Sequence, residues 1–240
     1  MFASTDALQF DSLILFAARN EAIAPELLEI LRLDTRQCTP DDAVRHFSAF
    51  AMAAEKGSPF AMCICSRFSR SGWGRPKSPK DALYWAQKAA AAGYAPGSYQ
   101  VGECYLESHG EPANLELARL NLERASDDGF GFASYRLAVL LHEGKFGSEN
   151  RKQALSRAVL AFEMGESIAA FEIAGWHERG EIVPRDESDA VVWYERAASM
   201  GNMFANLRLS VAYSIGELGL PRDPIAAEKY ARIGEAQTPL

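Results

Sequence analysis

The chain has 240 residues, 48% of them hydrophobic, enough apolar mass for an ample core. Its net charge of −7 and pI near 5.2 argue against a nucleic-acid surface, which needs clustered Lys and Arg. No apolar run approaches the roughly 20 residues of a membrane span, so no membrane span is expected and the cytoplasm is the expected compartment.

In chain order, the opening MFASTDALQFDSLILF lacks a basic stretch and is interrupted by Asp6 and Asp11. It is therefore expected to be a helix of the mature protein, over about Asp6 to Ala18, and not a secretory leader. Pro25 to Leu33 suits a second helix, with Pro25 in the first turn. Thr39-Pro40-Asp41-Asp42 opens a third, which runs to Gly57.

From Gly57 onward the sequence repeats. Glycine recurs at Gly57, Gly93, Gly129, Gly165 and Gly201, always 36 residues apart. Two alanine columns keep the same step: Ala82, Ala118, Ala154, Ala190, Ala226, and Ala53, Ala89, Ala125, Ala161, Ala197. Nine residues after each glycine sits a small residue: Ser66, Gly102, Ala138, Ala174 or Ser210. Such a register marks an array of supersecondary units that share one core.

In the third copy, Phe132, Tyr135, Leu137, Leu140 and Leu141 fall mostly at helical spacings, and Gly144 stops that helix. Arg151 to Met164 supplies a second helix with Ala154, Ala158 and Ala161 along one side, ended by Gly165. Gly72, Gly180 and Gly216 hold the place of Gly144 in other copies, whereas the second copy has Ser108 there and Gly110 two residues on. The unit is helix, turn, helix, turn. The small columns allow close approach of facing helices.

KDALYWAQKAAAAG (Lys80 to Gly93) and SDAVVWYERAASMG (Ser188 to Gly201) resemble the second-helix half of the Sel-one-like repeat (SLR), a relative of the tetratricopeptide repeat. Ala133, Leu137 and Ala138, or Val101, Gly102 and Tyr105, resemble the first-helix half. The likeness covers about Ser58 to Ala236; its tyrosine position is replaced by Ser69, Leu141 and His177 in degenerate copies. It implies an all-α, right-handed α-solenoid of period 36. The expected organisation is one continuous domain: residues 1–56 a degenerate repeat with a capping helix, 57–236 the array, 237–240 a fraying tail.

The resemblance also implies that first helices line a concave face and that the protein binds another protein there, as a peptide or helix in the groove. Phe60, Phe132, Ile168 and Phe204, three residues after the glycines, are expected to open toward that groove. Tyr99, Tyr135 and Phe171, six residues after, stand between core and groove. The alternative for both sets is packing against the preceding hairpin. Arg67, Arg70 and Arg75 make the early end basic, which suits an acidic segment of a partner or simply a solvated face. Trp73 either covers a helix end or stands exposed as an anchor.

No catalytic, metal or cofactor site is expected. The cysteines Cys38, Cys63, Cys65 and Cys104 follow no repeating column and are expected reduced, with Cys65 in the core. C-x-C at Cys63 and Cys65 lacks the second half of a zinc site. His46, His109, His142 and His177 lie far apart, and no phosphate loop, nucleophile elbow or HExxH motif is present. SLR members linked to penicillin binding carry a cysteine pair in each repeat, which this chain lacks. The sequence points to a non-enzymatic adaptor; the alternative is an immunity protein that neutralises a bacterial toxin.

Overall fold

A computed structural model describes residues 5–20, 23, 27, 30, 39–107, 113–147 and 151–236. Among the described residues there are twelve helices and no strand. They are α1 (Thr5–Asn20), α2 (Pro40–Glu55), α3 (Pro59–Ser71), α4 (Pro79–Ala91), α5 (Ala95–Leu106), α6 (Leu115–Asp127), α7 (Gly131–His142), α8 (Arg151–Glu163), α9 (Ser167–Arg179), α10 (Glu187–Ser199), α11 (Met203–Ile215) and α12 (Pro224–Ala236). The fold is all-α, built of helix–turn–helix repeats whose first helices are α3, α5, α7, α9 and α11. Of the helix expected over 25–33, Leu27 and Ile30 are described, both helical; the rest lies outside the described residues, as do Cys38, Ser108, His109, Gly110 and the tail 237–240.

Local chemistry sets the boundaries. Thr39 and Asp42 form a reciprocal capping box at the start of α2: Thr39 Oγ1 accepts from the Asp42 N–H at 3.2 Å, and Asp42 Oδ2 accepts from the Thr39 N–H at 3.0 Å. Ser58, Ser78, Asn114, Asp186 and Asn202 cap later helices by accepting from the N–H three residues on. The recurring glycine ends each second helix in a left-handed conformation, for instance at φ +97° in Gly57 and +90° in Gly129. Its N–H donates to the residue three back, and the next N–H donates to the alanine column, as in Ser58→Ala53 (3.1 Å) and Phe130→Ala125 (2.9 Å). This paired bonding is a Schellman cap, which explains why the glycine and the alanine four residues earlier repeat together.

The chain divides into two compact units, Met1–Ala133 and Ser134–Leu240. In the first, Phe50, Phe60, Cys63, Ile64 and Trp85 form the main core with Leu13, Ala17 and Leu27. Phe16 of α1 sets its ring edge-on to Tyr94 and Phe130, at 5.5 and 5.6 Å. In the second, Ala138, Ala158, Ile173 and Trp176 join α7, α8 and α9, while Ala174, Tyr194, Leu209 and Leu218 join α9 to α11.

The small columns mark where backbones meet. A Cβ on Gly97 would lie 2.5 Å from the Ala90 nitrogen, and one on Gly102 would lie 3.1 Å from the Ala118 carbonyl oxygen. In the equivalent place Ser66 Oγ donates to the Ala82 carbonyl at 2.8 Å, and Ser210 Oγ to that of Ala227, also at 2.8 Å. The last bond corrects one expected column. Ala227, not Ala226, takes the packed place in the final copy, because the preceding turn is one residue longer.

Candidate functional site

The nine candidate groove residues separate into four groups. Phe60, Tyr99 and Phe132 are 0% exposed, and Ile168 is also buried. Phe60 packs on Phe50 at 6.4 Å; Phe132 packs on Tyr99 at 5.7 Å and Phe130 at 6.3 Å. The expectation that Phe60, Phe132 and Ile168 open to a groove is corrected, and Tyr99, left between core and groove, falls in the core: large apolar side chains at these positions are worth about 2–3 kcal/mol each when withdrawn from water, and neighbouring helices close over them. Phe171 and Phe204 remain half-buried, 5.9 Å apart. Tyr135, largely buried, lines a cleft.

The basic early end is also corrected. Arg70 pairs with Glu107 at 3.5 Å, Arg75 pairs with Asp81 and lies 4.9 Å over the Phe47 ring, and half-buried Arg67 is engaged as well. Arg70 and Arg75 thus already have anionic or aromatic partners, so these two do not form an open basic surface. Trp73 stacks on His46 at 6.5 Å and lies 6.2 Å from Phe68, covering helix ends.

The cleft lies between the first helices α7 and α9 of successive repeats, with a volume of about 270 Å³. Helix α7 contributes Tyr135, Val139 and His142, followed by Glu143; α9 contributes Glu172, Trp176 and Arg179. The helical spacing of each set, three or four residues, brings it onto one side of its helix. Arg179 is held by a bidentate pair with Glu181, at 2.8 and 2.9 Å, and Glu181 also stands 3.5 Å from His142 Nε2. His142 lies 5.4 Å from the Trp176 ring. Glu143 and Glu172 make no hydrogen bond or ion pair among the described residues. Burial pushes the Glu172 carboxyl above the usual range, against the opposing pull of Arg179. Burial likewise raises the Tyr135 hydroxyl, helped by the nearby Glu172 charge.

One repeat later the corresponding positions form a closed network. Glu178 of α9 accepts from Arg208 of α11 at 2.5 Å and from the Tyr194 hydroxyl at 2.6 Å; Arg208 also meets Glu217 at 3.0 Å. Burial pushes the Glu178 carboxyl up, but the bonds from Arg208 and Tyr194 outweigh it and hold it below its ordinary value. Arg208 stands seven residues after its repeat glycine, as Glu172 does after its own. Sequence reasoning did not single out Glu172, although a lone carboxylate within SIAAFEIAGW was its signal.

Cys63 and Cys65 are buried thiols, neither joined in a disulfide. Burial pushes Cys65 and Cys104 up to about 12, so neither is a nucleophilic thiolate. Among the described residues no cluster of three or more His, Cys, Asp or Glu side chains is placed to hold a metal ion, and no helix is long and apolar enough to cross a membrane.

The Sel1 repeat family model matches residues 59–94, 95–130, 131–156, 167–202 and 204–237. The chain belongs to the Sel1 repeat family. Sel1 repeats commonly mediate protein–protein interaction and are generally non-catalytic. Two solved structures share the fold at a TM-score of 0.67 and 21% identity. One is a Sel1 repeat protein from Oxalobacter formigenes, covering 95% of this chain and 96% of that one. The other is an immunity protein from Pseudomonas aeruginosa, covering 99% and 83%. Mouse DAP3-binding cell death enhancer 1 is 29% identical over 78% of this chain and 37% of its own length. Chitin synthase regulatory factor 2 of Schizosaccharomyces pombe is 30% identical over 44% and 21%. The chain thus spans little more than a third of the first of these curated relatives and about a fifth of the second.

Proposed function

We propose that this chain is a non-enzymatic, cytoplasmic adaptor that holds a protein partner on the side formed by its first helices, the concave face of the family pattern. The observation that carries this reading is the α7–α9 cleft, where Tyr135, Val139, Glu143 and Glu172 gather at a side-chain-sized opening. Half-buried Phe171 and Phe204 extend the surface along the next repeats, and aromatic residues of this kind dominate binding hot spots. In this reading residues 57–236 are the repeat array and residues 1–56 a degenerate repeat with its capping helix.

The experiment is partner capture from source lysate with wild type and a Val139→Arg/Glu143→Arg variant shown by circular dichroism to be folded. A partner held by wild type and lost by the variant supports the reading; equal retention by both places binding elsewhere and overturns it. A second reading, a toxin-neutralising immunity protein, is favoured by the Pseudomonas aeruginosa immunity proteins among the fold's relatives. A single tight one-to-one complex with an enzyme that loses activity on binding distinguishes it from an adaptor with several weaker partners.

A further inference from the structure

We infer that the α7–α9 cleft receives one cationic side chain, Lys or Arg, from the protein partner; this rests on the interaction reading above. Size is the first argument. About 270 Å³ falls just below the roughly 300–1,000 Å³ of small-molecule pockets. It is scaled to one long side chain, not to a whole helix.

Charge is the second. Of the ionic groups around the cleft, Arg179 is matched by Glu181 through two hydrogen bonds. Glu143 and Glu172 make no hydrogen bond or ion pair among the described residues, and only the more distant Arg179 charge acts on Glu172. A half-buried carboxylate is costly to leave unpaired, and its burial already disfavours the ionised form; an entering cation relieves that cost.

The repeat itself supplies the third argument. Between α9 and α11 the chain provides its own cation, Arg208, which fills the space beside Glu178 and Tyr194. Between α3 and α5 it provides Arg70 against Glu107. Between α7 and α9 the place of Arg208 is held by Glu172, and the place of Glu178, which is also that of Arg70, by His142. The polarity is reversed there: the carboxylate is Glu172, the place of Tyr194 is held by Ala158, and the guanidinium lining the cleft, Arg179, is already bonded to Glu181.

The walls suit such a guest. Trp176 and Tyr135 offer ring surface for a cation, and Val139 offers apolar surface for a methylene stem.

The test follows the Trp176 indole N–H by NMR, assigned with Trp176→Phe, during titration with N-acetyl-arginine amide, N-acetyl-lysine amide and the uncharged isostere N-acetyl-citrulline amide. The expected result is saturable millimolar binding of both cations and binding of citrulline about tenfold weaker, the loss typical of removing a charged hydrogen-bond partner. Glu172→Gln, and separately Glu143→Gln, weaken the cations by a comparable factor while spectral dispersion stays native. Equal response to citrulline, unchanged binding in both variants, or no response to either cation overturns the inference. Partner capture separates the two levels: a partner lost by Val139→Arg/Glu143→Arg but held normally by Glu172→Gln leaves the interaction surface standing and removes the cation site.

Discussion

At the scale of single residues, burial assigns roles that residue type leaves open. Phe132 and Phe171 are both phenylalanines on first helices, yet one is sealed between Tyr99 and Phe130 and the other is half-buried beside Phe204. Phe132→Ala is expected to cost about 3–5 kcal/mol in urea unfolding, and Phe171→Ala distinctly less, about 1–2 kcal/mol. The two carboxylates of α9 have opposite pH signatures. Glu178 is held below its ordinary value, so its contribution is present above the normal carboxylate range and lost as pH falls through its depressed value. Glu178→Gln should therefore destabilise at about pH 7, on the order of 1 kcal/mol, with the gap narrowing as pH falls below the normal carboxylate range. Glu172 is raised, so its ionisation erodes stability as pH climbs from the unfolded carboxylate range through its elevated value. Glu172→Gln should be more stable than wild type at about pH 7 and equal to it at about pH 3.5. Urea titrations of wild type and both variants at the two pH values check the two signs together.

Elements show their environment through alternate faces. On α11, Leu209 is 0% exposed, whereas Leu207, Val211 and Ile215 are 40%, 50% and 56% exposed along a four-residue stripe. The matching positions on α7 are Tyr135, Val139 and Glu143, which line the cleft against α9. Val211→Gln and Ile215→Gln are expected to move stability by no more than about 0.5 kcal/mol, and Leu209→Ala to lower it by about 2–5 kcal/mol. Helix α5 shows the opposite limit, close approach. Gly97→Ala places a methyl against the α4 backbone, and the strain should cost about 1–3 kcal/mol by thermal or urea unfolding.

At the scale of the whole molecule, each repeat leans on its neighbours, so damage should spread locally before it spreads globally. Leu209→Ala is expected to accelerate amide exchange in α9 to α12 while α3 and α4 keep their protection, measured by native-state hydrogen exchange. Uniform acceleration along the chain would show one cooperative unit instead. The net charge of −7 acts at this scale too, since an acidic molecule draws cationic partners from a distance, in the sense that the α7–α9 cleft requires.

The repeat register, the helix pairs and their capping glycines were legible in the sequence because they arise from local rules: the 3.6-residue period, the left-handed cap, and the small side chain where two backbones meet. Even so, the Ala226 column slipped to Ala227, because one extra residue in a turn is invisible to a fixed step. Which aromatics are sealed, which arginines are already paired, and that Glu172 makes no hydrogen bond where Arg208 one repeat later is paired with Glu178 were decided by tertiary structure. Exposure and pairing depend on side chains 30 or more residues away, such as Arg208 across from Glu178, and a local pattern carries no record of those distances.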